Sequence, residues 1–164
     1  MIRAAELKDR YAMADLLISA WHTAYTGLID PEYPSTMKAE RYIRIFHENI
    51  SLQREHVFVH EENGAVLGFV SGKILEGERM GEIIGLYVHP DHQGMGIGSG
   101  LFGQMAALFQ KRGIKSIMVR TLLYAKNNRF YEMQGGSVSG STDIEIGGTL
   151  YPGVCFIFTL QHEN

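Results

Sequence analysis

Cysteine is almost missing from this chain: Cys155 is the only one among 164 residues. A lone cysteine cannot form an intramolecular bridge, and such scarcity suits a reducing compartment, so a cytoplasmic location is expected. An excess of basic charge is missing too. Lys plus Arg is 15 against 18 for Asp plus Glu, a net charge of −3, which argues against a general nucleic-acid binder with its basic stripe. No apolar run approaches the ~18 residues of a spanning helix. Arg3, Glu6, Lys8, Asp9 and Arg10 interrupt any signal-peptide core near the start, so no membrane partner is expected. Long linkers, internal repeats and low-complexity tracts are not found. His89-Pro90-Asp91-His92 has no third ligand near it in sequence, and no metal is expected. There is no Gly-Lys-Ser/Thr phosphate loop and no Gly-x-Ser-x-Gly elbow.

What is present is a core-forming composition, 45% hydrophobic and 20% charged. The length predicts one domain over residues 1–164, burying roughly 70% of the unfolded surface. Met1–Glu6 reads as a short strand. Leu7, Tyr11, Ala14, Leu17, Ile18 and Trp21 then draw one helical apolar stripe. Asp30-Pro31 marks a turn, and Ser35 is a candidate cap for a second helix running through Asn49. After that the period changes to two. His56–His60 and Val66–Leu75 read as strands joined by a hairpin turn centred on Asn63-Gly64. Glu82–His89 is a third strand, stopped by Pro90, and Gly85 inside it suggests a bulge. A helix from Gly96 to Arg112 presents Ile97, Leu101, Met105, Leu108 and Phe109 on one face. Ser116–Leu123 is a strand, Asn127–Gln134 a short helix, and 137–146 and 150–160 are closing strands. That order predicts an α/β (α+β) fold with a mixed sheet.

Gln93-Gly94-Met95-Gly96-Ile97-Gly98-Ser99-Gly100 joins the third strand to the long helix. Glycines let a backbone turn tightly and present several N–H groups, and a helix N-terminus adds partial positive charge, so a phosphate or diphosphate fits. A flexible loop accounts for the glycine density equally well. Gly98, Gly100 and Gly103 satisfy the dinucleotide pattern Gly-x-Gly-x-x-Gly on paper. The match lies inside the helix rather than at the turn, and no acidic residue follows near Arg120–Leu123 to bind a ribose.

The segment Tyr87–Gly98 resembles the acetyl-CoA signature of the GNAT superfamily of N-acetyltransferases. That pattern is Gln or Arg, two residues, Gly, any residue, then Gly or Ala, met here by Gln93, Gly96 and Gly98. Asn128-Arg129-Phe130-Tyr131-Glu132-Met133-Gln134-Gly135 resembles the family's Phe-Tyr-Glu-x-x-Gly segment. Trp21–Ile29 and Ile144–Gly148 resemble the first-helix exit and the C-terminal hairpin of a bacterial subgroup. The element order agrees over nearly the whole chain. The resemblance implies a small single-domain protein with a twisted, mostly antiparallel sheet of about seven strands flanked by about four helices.

It also implies what the residues do. The amides of Gln93, Gly94, Met95, Gly96, Ile97, Gly98 and Ser99 would wrap the diphosphate of acetyl-CoA, the co-substrate. The backbone of Leu86, Tyr87 and Val88 would pair with the pantetheine arm, and the N–H near Leu86 would donate to the oxyanion. Glu82, eleven positions before Gln93, stands where some members place the base that takes the amine proton, directly or through water. A solvated charge at a strand start is the plain alternative. Tyr131 stands where the family places the acid that protonates the departing sulfur, against the alternative of a core tyrosine. Phe130 beside it reads as core. Members carry Asn and Ala where this chain has Tyr124 and Asn127, so Asn127 or Asn128 is expected to take over a pantetheine contact. Trp21 and Tyr25 are expected at the acceptor side, and Asp30 and Glu32 suit a cationic amine such as a polyamine. The implied acceptor is a primary amine of a small molecule or peptide, attacked directly in a ternary complex. A non-catalytic acyl-CoA-binding or sensing domain, or transfer of another acyl group, are the competing readings. The oligomeric state is open, since exposed C-terminal strands of such folds often pair into homodimers.

Overall fold

The computed structural model describes residues 1–161; residues 162–164 of the expected domain lie outside them. Strand β1 (Ile2–Ala4) is followed by helices α1 (Arg10–Ala24) and α2 (Ala39–Ser51). Strands β2 (His56–Glu62), β3 (Ala65–Leu75) and β4 (Met80–Val88) come next, then helix α3 (Ile97–Lys111) and strand β5 (Ser116–Leu122). Helix α4 (Asn128–Met133) and strands β6 (Ser137–Ile146) and β7 (Thr149–Thr159) complete the chain. The seven strands form one sheet in the order β1-β2-β3-β4-β5-β7-β6. Among the described residues only β4 and β5 run parallel; the other neighbours are antiparallel. This is the mixed, mostly antiparallel sheet with four helices that the sequence implies. No described helix is long and apolar enough to cross a membrane.

Local chemistry explains the elements. Asn63 and Gly64 both have positive φ, 51° and 82°, as a two-residue turn matched to strand twist requires. α3 turns Ile97, Leu101, Met105 and Phe109 onto Val70, Ile83, Ile117 and Phe156 of the sheet. It lies so close that a Cβ on Gly81 would stand 2.5 Å from the Phe109 ring. On the opposite face Met13, Ala14 and Leu16 of α1 and Phe46 of α2 cover Val57, Val59 and Phe69. Each such buried side chain larger than alanine contributes about 1.5–3 kcal/mol. A third cluster, Ile29, Leu122, Ala125 and Ile146, ties the loop after α1 to the β6–β7 hairpin.

Arg3 of β1 joins these layers at one edge. It donates to Asp9 at 2.8 and 3.0 Å and to Glu61 at 2.6 Å. Burial pushes the Asp9 carboxyl up, but the Arg3 guanidinium and the Glu6 N–H outweigh it and hold the pKa below the ordinary value.

Two helix starts differ from the sequence reading. Leu7 and Tyr11 are exposed, because Leu7–Asp9 form a separate 3-10 turn and α1 proper begins only at Arg10. Ser35 does not cap α2. Tyr33–Thr36 close their own 3-10 turn, and extended Lys38 precedes the helix.

The centre of the sheet is where the fold opens. β4 and β5 pair only through Met80–Glu82 and Ser116–Met118. Next, Gly72 faces Ile83 and Ser71 faces Gly85, so Ile84 is the extra residue of a bulge beside Gly85. A bulge bends and twists its strand. Past it β4 turns away, while β5 stays with β7 as far as Leu122. The β5-facing edge of β4 beyond Glu82 therefore has no strand partner among the described residues.

Candidate active site

A cavity of about 520 Å³ opens where β4 and β5 part. Leu86 and Val88 of β4 form one wall, Gln93, Gly94 and Gly96–Ser99 of the turn another, and Asn127, Phe130 and Tyr131 a third. A smaller cavity of about 130 Å³ shares Leu86, Val88, Gln93, Asn127 and Tyr131 with it and adds Tyr25, Tyr87 and Arg120.

The turn is built by its own residues. His89 Nδ1 accepts the Asp91 N–H at 3.1 Å, capping the 3-10 turn Pro90–His92. That contact gives His89 a structural role. Gly94 and Gly96 have φ of 77° and 83°, where L side chains are strained. Among the described residues nothing lies within 4 Å of a Cβ at either position, so the need for glycine is conformational and the space beside the turn is open. Gly96 is the N-cap of α3. The next N–H groups, on Ile97, Gly98 and Ser99, have no intrahelical acceptor and carry the positive end of the helix dipole. Lys126 adds a charge to the same cavity.

Tyr131 is 4% exposed, with its ring 5.3 Å from Phe130 and 5.9 Å from Phe156. Burial, with nearby Tyr87, pushes its phenol above the ordinary value, so it keeps its proton. The two asparagines divide their tasks. Asn128 donates to the Leu122 and Leu123 carbonyls at 2.9 and 3.0 Å and accepts from the Thr121 hydroxyl. Asn127 lines both cavities, and its Oδ1 is buried without a partner among the described residues.

Glu82 is 5% exposed and sits on the last shared rung of β4 and β5. It is not a solvated charge at a strand start. Its Oε1 accepts from Arg120 Nη2 at 2.9 Å and Nε at 3.2 Å, leaving Oε2 outside the pair. Glu82 lines neither cavity; Arg120 lines the smaller one.

The other expected residues are spread around this centre. Tyr87 turns to the α1 side, where its hydroxyl accepts the Trp21 indole N–H at 3.3 Å. Trp21 packs edge-on to Tyr25 with ring centres 4.7 Å apart. Tyr25 reaches the smaller cavity, and Trp21 stands behind it. Met95 is exposed and lines an adjoining cavity of about 310 Å³ instead of the main one. Asp30 and Glu32 line neither of the two central cavities. Asp30 Oδ1 accepts the Glu32 N–H at 3.0 Å and closes their turn. Phe130, read as core, is also a cavity wall. Arg120 escaped the sequence reading, although a lone charge inside the apolar stretch Ser116–Leu122 is a signal for it.

The sequence profile of the acetyltransferase (GNAT) family matches residues 14–135. An uncharacterized N-acetyltransferase of Archaeoglobus fulgidus is 29% identical over 140 residues, covering 81% of this chain and 90% of that one. The L-amino acid N-acyltransferase MnaT of Escherichia coli K12 is 36% identical over 107 residues, covering 63% of this chain and 59% of that one. YncA of Salmonella typhimurium, solved with its cofactor acetyl-CoA, shares the fold with a TM-score of 0.74 at 22% identity, covering 100% of this chain and 95% of that one. With the family profile spanning most of its length, this chain belongs to the GNAT family of acetyltransferases and is an enzyme of that class.

Proposed function

We propose that this enzyme moves the acetyl group of acetyl-CoA to a primary amine by direct attack in a ternary complex. The observation that carries the reading is one cavity holding both the glycine turn and Tyr131. The residues present suit the co-substrate. Among the described residues, Gly94 and Gly96 leave open space beside the turn, Asn127 has an unpartnered buried acceptor, and β4 has a free edge.

Acetyl-CoA supplies the thioester. The amides of Gln93–Ser99, with Lys126, hold its diphosphate. Leu86–Val88 and Asn127 take the amides of the pantetheine arm. The N–H near Leu86 donates to the developing oxyanion, a role worth ~3–4 kcal/mol in comparable sites. Glu82 accepts the amine proton, directly or through water, once an amine reaches it. Tyr131 gives its proton to the departing sulfur. Tyr25, backed by Trp21, borders the acceptor.

The acceptor named for the Escherichia coli relative puts amino acids first in a test panel. The panel continues with polyamines, aminoglycosides and N-terminal peptides, each assayed for thiol release from acetyl-CoA and for the acetylated product by mass spectrometry. Amine-dependent release with a matching product is expected. No release with any class overturns the proposal.

A further inference from the structure

The smaller cavity has one charged lining side chain among the described residues, and it is a cation, Arg120. An acceptor amine is also a cation before it loses its proton. A simple amine or a polyamine therefore meets like charge on entry. Arg120 has its own counter-ion in Glu82, but the two are unequally placed. The Arg120 side chain is 49% exposed and that of Glu82 6%. Arg120 lines the smaller cavity, while Glu82, bonded to it, does not. The register explains this arrangement. Glu82 faces Met118 on the last rung before the strands part, and Arg120 is two residues further along β5, on the same face. Arg120 spends Nε and Nη2 on a single oxygen of Glu82, which leaves other donors of its five N–H groups for a ligand.

We infer that the acceptor carries a carboxylate beside its amine and that Arg120 reads it, exchanging its contact with Glu82 for one with the acceptor. This deepens the acetyl-transfer reading and rests on it. A zwitterion brings no net charge into the cleft. Its carboxylate takes the planar fork of Arg120, and its amine takes the place that Arg120 vacates at Glu82. One internal ion pair becomes two, and the carboxylate that accepts the amine proton is uncovered only when the correct acceptor arrives. Size agrees. At about 30 Å³ per water-sized group, a cavity of about 130 Å³ has room for about four such groups, so an amine and a carboxylate that share it are close neighbours. Tyr25 and Tyr87 line the same space and suit an apolar side chain. The class is therefore the α-amino acids.

The test compares the common L-amino acids with their α-amides and their decarboxylated amines, side chain by side chain. Each kcat/KM is taken at the plateau of its own pH profile, since the three differ in amine pKa. The acids are expected to exceed both analogues by about 10- to 150-fold, the range for a hydrogen bond to a charged group. In Arg120→Gln that ratio falls toward one, and Arg120→Lys, which keeps the charge without the fork, lies between. Calorimetric binding of acetyl-CoA checks that each variant is folded, and the wild-type ratio decides alone if one is not. Amides or plain amines used as well as the acids, or an unchanged ratio in Arg120→Gln, overturns the inference and leaves acetyl transfer standing. No acetylation of any amine overturns both.

Discussion

Replacing Tyr131 by Phe removes one oxygen and keeps the ring, with its neighbours Phe130, Phe156 and Phe158 at 5.3, 5.9 and 6.3 Å. Among the described residues no protein group hydrogen-bonds the hydroxyl, so folding stability is expected to change by less than about 1 kcal/mol. Acetyl-CoA affinity is expected to hold within about threefold, since packing is kept. The rate should behave differently. A positioned acid contributes about 10²–10⁴-fold, which is about 3–5 kcal/mol on the barrier. Thiol release at saturating co-substrate should therefore fall by at least about a hundredfold. The pH profile gives a second reading. Burial raises the phenol's pKa, and an acid of raised pKa is lost only as pH climbs through its folded value. The wild-type rate should therefore show no alkaline fall from this group below about pH 10. An unchanged kcat in Tyr131→Phe would make Tyr131 a core residue and refute the acid.

Three other perturbations separate binding from folding. Gly96→Ala puts a Cβ on a residue at φ 83° with nothing in contact, so backbone strain alone should lower stability by about 1–2 kcal/mol in urea denaturation. Asn127→Ala removes a buried acceptor that has no partner among the described residues. Calorimetry should show coenzyme A binding about 3- to 10-fold weaker, while thermal melting shows no loss of stability. Asp9→Asn breaks the buried pair with Arg3, which keeps Glu61 as a partner, and should cost about 1.5–3 kcal/mol near neutrality. Because the folded pKa of Asp9 is lowered, its stabilisation is present above about pH 4 and lost as pH falls through the folded value. Denaturation midpoints of the variant and the wild type should therefore converge in acid.

Local patterns carried most of the fold. The Asn63-Gly64 turn, the inward face of α3 and the stop at Pro90 each depend on a few adjacent residues, and the structure has all three. The glycine turn was legible for the same reason, because positive φ at Gly94 and Gly96 is a property of those residues. Pairing between distant segments was hidden. Arg120 and Glu82 are 38 positions apart, and they meet only because β4 and β5 are parallel with Glu82 opposite Met118. A one-residue slip would turn them to opposite faces. That Asn128 bonds the Leu122 and Leu123 carbonyls was hidden too, since those contacts depend on how the loop after β5 folds back.

Amide-resolved NMR during titration with coenzyme A tests the grip on the diphosphate most directly. Saturable shifts are predicted to be largest at Gly94, Gly96, Ile97, Gly98 and Ser99. Titration with pantetheine, which lacks the diphosphate, should leave those signals nearly in place. If saturating coenzyme A moves other amides and leaves these five unmoved, the glycine turn is not the diphosphate site.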